Sequence, residues 1–320
     1  MASHMLEIEN LKVYYQMREG TVKAVDNISF LIDKKETIGV VGESGSGKST
    51  LGFSILRLVP PPSKIVDGKI LFDGVDLLKL SEEEMRRIRG KQISMVFQDP
   101  MTSLNPLMKI GDHVIETILA HEKITPEEAK ESATSLLKNV GILEERFNDY
   151  PHQFSGGMRQ RVAITLALAL NPDLVIADEP TSSLDVIVQF QILDLMRKLR
   201  ELYDMGLLLI THDISIVSEI ADKIALMYAG QLVEFADVAS FFEEPLHPYA
   251  EALLTSVPNI QLLDQKLKYI SGMPPDLINP PRGCRFHPRC PYAKGICREE
   301  EPLSVEVKLG HMVKCFNYQG

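Results

Sequence analysis

The run Gly42-Glu43-Ser44-Gly45-Ser46-Gly47-Lys48-Ser49-Thr50 constrains this chain more than any other stretch. It follows the apolar segment Thr37-Ile38-Gly39-Val40-Val41, which reads as a buried strand, and precedes Leu51-Gly52-Phe53-Ser54-Ile55-Leu56, which reads as a helix. A glycine-rich turn in that context lets backbone N–H groups curl around an anion, while the helix adds its positive N-terminal end. In the G-x-x-x-x-G-K-S pattern Lys48 can reach the β- and γ-phosphates of a nucleoside triphosphate, and the Ser49 hydroxyl can take a place on Mg²⁺. A bare glycine-rich loop is usually an ordinary turn; the full pattern between strand and helix is specific and points to an α/β chain.

With 320 residues the chain can bury a large core, and length alone suggests roughly two domains. Its 45% hydrophobic and 24% charged residues are ordinary for a soluble globular protein, and a net charge of −10 argues against a general nucleic-acid binder. No uncharged apolar run approaches the roughly 18 residues of a spanning helix, so any membrane association must come through a partner. Met1 to Met5 read as a cloning scar with no signal-peptide pattern after it, so the chain is expected to stay in the cytoplasm.

Residues Leu6 to Ile32 alternate apolar and polar positions, as antiparallel strands with one exposed face do. Tyr15 lies in this stretch, where an aromatic ring can stack on a base or simply pack. Pro-rich Val59 to Ser63 ends the first helix, and Gly68 to Gly74 reads as a short hairpin strand. Ser81 caps a short helix through Arg89. Ile93 to Phe97 is a second apolar strand that runs into Gln98, whose amide could bind Mg²⁺ or orient water. From Ile110 to Leu170 the pattern turns helical, with Thr125-Pro126-Glu127-Glu128 as a helix start. It contains Phe154-Ser155-Gly156-Gly157-Met158, which is either a flexible turn before a helix or a second set of anion donors. Leu174 to Glu179 is a buried strand ending in two carboxylates: Asp178 suits a Mg²⁺ ligand and Glu179 the acceptor of a proton from attacking water. Ser182-Ser183-Leu184-Asp185 precede a helix through about Leu202. Leu207 to Ile210 is a further strand leading to His212, a residue that alone would be taken as structural.

Taken in order, Gly42 to Ser49, Gln98, Ser155 to Met158, Asp178-Glu179, Ser183 to Asp185 and His212 closely resemble the motif set of the nucleotide-binding subunits of ATP-binding-cassette (ABC) transporters. The resemblance covers about residues 6–240. It implies a P-loop NTPase (RecA-like) core with an antiparallel β subdomain and a helical subdomain, the helical insert spanning about 100–165. It implies ATP hydrolysis, with Lys48 and the loop (Gly42, Ser44, Gly45, Ser46, Gly47, Ser49, Thr50) on the phosphates and Ser49, Gln98 and Asp178 around Mg²⁺. Glu179 would be the base, His212 the γ-phosphate contact and Tyr15 the adenine stack. Ser155, Gly156, Gly157 and Asp185 would serve the nucleotide of an opposing subunit, two copies sandwiching two ATP molecules. The signature reads Phe-Ser-Gly-Gly-Met where many members have Leu-Ser-Gly-Gly-Gln, a mild departure.

Gln98 to Pro106, Glu244 to Tyr249 and the tail with Gly283 to Pro291 and Cys315 resemble the di- and oligopeptide importer branch, making 241–320 an importer-type extension. That implies two membrane permease subunits, a second ABC ATPase subunit (the same chain or a related one), an external binding protein acting indirectly, and a peripheral place on the cytoplasmic face of the membrane. Importers of nickel or glutathione share these features. A soluble cassette ATPase acting on nucleic acid or ribosomes is disfavoured by the single cassette and the ordinary length of the insert.

All four cysteines, Cys284, Cys290, Cys297 and Cys315, fall in a proline-rich, loop-rich tail. Such clustering in a reducing compartment points to a metal or cluster before disulfides. The gaps of five, six and seventeen residues lack the tight pairs of structural zinc sites. They resemble the pattern of iron–sulfur-bearing peptide importer ATPases, which implies a [4Fe–4S] cluster of structural or regulatory role, with Zn²⁺ as the alternative and free thiols third.

Overall fold

The computed structural model describes residues 4–256 and 270–319. The chain divides into two compact units, the first made of Met1–Ile32, Thr37–Leu78 and Thr211–Gly320, the second of Asp33–Glu36 and Lys79–Ile210. The segment after residue 240, expected as an extension, belongs to the first unit.

In the first unit an antiparallel sheet runs in the order Gly20–Ile32, Leu6–Met17, Ser63–Phe72, Val75–Asp76. Alternation dictates its one-sided burial: Leu6, Ile8, Leu11 and Val13 are almost fully buried on the inner face, and Ile8 sits opposite both Phe30 and Ile70. The strand Ser63–Phe72 begins within the stretch expected to be a Pro-rich loop and is longer than the short hairpin strand expected at Gly68 to Gly74. Met5 is 2% exposed, donates its N–H to the Ile32 carbonyl at 2.9 Å and accepts one from Asp73 at 2.9 Å.

The other strands of this unit lie in the order Val305–Lys308, His311–Val313, Gln231–Asp237, Lys223–Tyr228, Thr37–Val41. Thr37–Val41 pairs in parallel with Lys223–Tyr228 and is buried at all five positions, which is why it reads as a continuous apolar run. The two tail strands add antiparallel to Gln231–Asp237. A core of Val41, Val217, Leu226, Tyr228, Phe241, Tyr249 and Phe286 fills the space under these strands. Phe286 meets Tyr228 edge-on at 5.1 Å, and Tyr249 and His247 at 5.4 and 5.6 Å.

Burial pushes His247 from its ordinary 6.5 down to about 3, and its Nδ1 accepts the Tyr249 N–H at 3.0 Å. The unfolded chain therefore takes up a proton near pH 6.5 that the folded chain refuses until about pH 3. Stability is full above the upper value and falls on acidification between the two, by about 1.4 kcal/mol per pH unit from this group. In His247→Asn, whose amide oxygen can keep the Tyr249 bond, the pH dependence of urea unfolding across that window is expected to lose about one proton. An unchanged slope would remove His247 as its source.

The second unit carries three parallel strands, Ile93–Val96, Leu174–Asp178 and Gly206–Thr211, with Ile93 opposite Leu174 and Ile176 opposite Leu208. Its helices Ile110–Leu119, Pro126–Asn139, Gly156–Leu168 and Val186–Tyr203 follow the expected pattern. Thr125 and Glu128 form the capping box that the sequence signals, each satisfying the other's backbone N–H. Among the described residues no helix is long and apolar enough to cross a membrane.

Candidate functional site

In the first unit the phosphate-loop run lies between the buried strand and the helix Lys48–Ile55, as the sequence requires. Gly47 sits at the helix entrance with φ +100°, and a Cβ there would come within 1.9 Å of the Ala24 carbonyl, so only glycine fits. The helix start has no side-chain cap hydrogen bond and no acidic residue in its first turn, so its own side chains do not offset the positive end of its dipole. Lys48 is buried and donates from Nζ to the carbonyls of Gly42 at 2.7 Å and Glu43 at 2.9 Å. The Ser46 hydroxyl is buried with no hydrogen-bond partner in the structure, a donor that a phosphate oxygen would satisfy. Ser44 and Gly45 form the exposed rim, Ser49 is half-buried and Thr50 is buried. The Tyr15 hydroxyl lies 3.1 Å from Thr50 Oγ1, which holds the half-buried ring beside the loop's helix. His212 is exposed just after Gly206–Thr211, before the helix Ile214–Ile220 that Asp213 caps.

In the second unit Asp178 ends its parallel strand at 1% exposure. Glu179 follows with φ +43°, a left-handed backbone uncommon for a residue with a Cβ. That conformation is over-determined: the Glu179 N–H donates to Ile210 O at 2.8 Å, and Glu179 O accepts from the Ser182 hydroxyl at 2.9 Å. It turns the carboxylate toward Gln98, whose Nε2 donates to Glu179 Oε2 at 3.2 Å. Gln98, Asp178 and Glu179 thus gather at the ends of adjacent parallel strands, where Mg²⁺ ligands and a base are expected.

Ser155 caps the helix Gly156–Leu168, and Ser155 and Gly156 are exposed. A Cβ on Gly157 would come within 2.5 Å of Val188, so glycine permits the close approach of the helix Val186–Tyr203, itself capped by exposed Asp185. Met158, the departure in the signature, accepts from Arg146 at 3.5 Å, and Arg146 stacks on Phe154 at 4.3 Å. The methionine therefore has a local partner, and Ser155 and Gly156 beside it stay exposed.

The four cysteines line one cavity, together with His247, Phe286 and His287. Burial pushes the Cys284 thiol up to about 11, with the neighbouring cysteines adding to it, and burial likewise raises Cys290 and Cys315. Four thiol donors of the kind an iron–sulfur cluster takes therefore share one lining. Among the described residues no group of three or more His, Cys, Asp or Glu is placed to hold a metal ion, so the arrangement itself supports neither the expected cluster nor Zn²⁺.

Sequence reasoning missed several residues that tie the tail to the rest of the first unit. Arg285 bonds the Ala229 carbonyl and the Asp26 carboxylate, which also accepts the Tyr14 hydroxyl at 2.6 Å. Buried Glu234 pairs with His311, and Glu43 of the phosphate loop is held by Tyr249 and Arg289. No local pattern marks such pairs, since each joins residues far apart in the chain.

Residues 25–182 match the family model described as ABC transporter, and residues 233–297 that described as Oligopeptide/dipeptide transporter, C-terminal region. The chain is 49% identical to the Oligopeptide transport ATP-binding protein OppD of Bacillus subtilis (strain 168), covering 98% of this chain and 88% of that protein. It is 47% identical to the Dipeptide transport ATP-binding protein DppD of the same organism, over 98% of this chain and 94% of that one. Among solved structures it resembles the ATP-binding cassette MJ0796, captured as a dimer in a post-hydrolysis state bound to ADP and Pi, with TM-score 0.66, 31% identity and coverage of 73% of this chain and 99% of that one. With the phosphate loop, the paired carboxylates and the C-terminal region all in place, the chain belongs to the ABC transporter family of ATP-binding proteins, in the oligopeptide/dipeptide branch.

Proposed function

We propose that this chain hydrolyses ATP to power import of di- or oligopeptides, working at the cytoplasmic face of the membrane with two permease subunits, a second ABC ATPase subunit and, indirectly, an external binding protein. The observation that carries the reading is the phosphate loop, with its uncapped helix start, buried Lys48 and orphaned Ser46 hydroxyl. Lys48 and the loop amides hold the phosphates, and Tyr15 stacks on adenine. Ser49, Gln98 and Asp178 would hold Mg²⁺, which would supply positive charge to the phosphates. Glu179 takes the proton of the attacking water and His212 contacts the γ-phosphate. Ser155, Gly156, Gly157 and Asp185 serve the nucleotide of the opposing subunit, the exposure of Ser155, Gly156 and Asp185 leaving them open to it. Binding closes the pair, and loss of the γ-phosphate contacts reopens it.

Isolation from detergent-solubilised membranes tests the assignment. Two membrane subunits should accompany the chain, and its ATPase rate should rise with a peptide-loaded binding protein. Co-sedimentation with ribosomes or DNA instead would overturn it, and stimulation by a nickel- or glutathione-loaded binding protein in place of peptide would move the substrate.

The cysteine tail is proposed to carry a [4Fe–4S] cluster, with Zn²⁺ as the alternative. The donor chemistry of the four thiols that line one cavity, beside His247 and His287, supports the reading. Iron, sulfide and zinc analysis with an absorption spectrum of anaerobically purified protein decides; a colourless, zinc-loaded sample removes the cluster.

A further inference from the structure

Glu43 is the second residue of the phosphate loop, and its polar groups divide between two parts of the chain. Its carbonyl accepts the Ser46 N–H at 3.1 Å and Lys48 Nζ at 2.9 Å, so where Glu43 sits decides where the loop's cation sits. Its N–H and carboxylate are held from beyond residue 240. The N–H donates to the Tyr249 hydroxyl at 3.0 Å. The carboxylate takes both arms of the Arg289 guanidinium, at 2.8 and 3.0 Å. Arg289 is itself fixed: Nε donates to Ser271 O at 3.0 Å, Nη1 to the Tyr228 hydroxyl at 3.3 Å, and its side chain is 5% exposed. A fork-on-carboxylate pair of this kind is directional, and with Arg289 buried and the Glu43 side chain 25% exposed, loss of the arginine leaves a partly shielded carboxylate without its counter-charge. A bare Glu43 carboxylate would face the same loop that must accept a triphosphate.

We propose that the C-terminal extension positions the phosphate-binding loop through Glu43, with Arg289 as the positioning residue and Tyr249 as a second anchor. Affinity for MgATP then depends on the folded state of the cysteine-bearing segment that carries Arg289. This deepens the ATPase reading above and rests on it.

The test uses the full chain assembled with its membrane subunits, with MgATP as the probe. Arg289→Ala should raise the MgATP dissociation constant and KM about tenfold and leave kcat within about twofold, because the phosphate cradle is displaced while Glu179, the base, is untouched. Arg289→Lys, which keeps the charge but not the fork, should fall between wild type and Ala. In the double variant Glu43→Gln/Arg289→Ala the loss should be no larger than in Arg289→Ala, since the uncompensated carboxylate is gone. A generally loosened fold would move kcat as well and would give additive losses. Unchanged KM in Arg289→Ala, a loss confined to kcat, or additivity in the double variant would each overturn the proposal. If the alanine variant fails to fold, Arg289→Lys decides, a raised KM supporting the proposal and a wild-type KM overturning it. A wild-type chain that neither binds nor hydrolyses MgATP would overturn the ATPase reading itself; a wild type that binds MgATP no better than Arg289→Ala overturns this inference alone.

Discussion

Glu179→Gln should lower ATP turnover in the assembled transporter by roughly 10²- to 10⁴-fold, the usual contribution of a positioned general base, while MgATP still binds. The amide preserves the side chain's shape and its reach to Gln98 but cannot accept the water's proton. The left-handed backbone at Glu179 is held by Ile210 and Ser182 and does not depend on the carboxylate, so the substitution should leave the local fold intact. Phosphate release gives the rate and calorimetry the binding. With hydrolysis blocked, the nucleotide-bound pair should persist long enough for scattering to record a dimer with Ser155 of one subunit at the phosphates of the other. Near-normal turnover would strip Glu179 of the role of base, and a strictly monomeric nucleotide-bound variant would defeat the head-to-tail pairing.

Glu234→Ala should destabilise the chain by about 3–5 kcal/mol, at roughly 1–3 kcal/mol for each of the three donors it leaves without an acceptor. Glu234 is 1% exposed and its carboxylate accepts three bonds: the Leu246 N–H at 2.9 Å, the His247 N–H at 2.7 Å and His311 Nε2 at 2.8 Å. Alanine leaves all three donors dry and unpaired. Glu234→Gln, which retains an acceptor oxygen, should cost less. The chain has no tryptophan, so urea unfolding is best followed by far-UV circular dichroism. A loss below about 1 kcal/mol would mean that water or rearrangement satisfies these donors, and that the tail is not pinned here.

What the sequence disclosed and what it hid differ in range. The strand, loop and helix from Thr37 to Ile55 are fixed by neighbours within a few residues, as is the capping box at Thr125, and both are legible from spacing. The ordered motifs of the candidate site were legible for the same reason, each being a short strand end or helix start. The start of Ser63–Phe72 was hidden because the prolines before it signal a loop, while the strand is set by its pairing with Leu6–Met17. The tail strands Val305–Lys308 and His311–Val313 have little apolar pattern of their own and exist because Gln231–Asp237 offers them a partner. The Arg289–Glu43 pair spans 246 residues, and nothing near either residue announces the other. The left-handed turn at Glu179 likewise leaves no trace in composition.

The pairing of His311–Val313 with Gln231–Asp237 has a consequence for how the protein is made. The first unit takes residues from both sides of the second, so it lacks the strand His311–Val313, and Glu234 lacks its histidine, until residues 311–313 have been translated. The second unit comes nearly whole from Lys79–Ile210 and can condense while the ribosome is still at work. Nascent chains stalled short of His311 should therefore carry one finished body and one open sheet edge, the state in which a chaperone would have most to shield.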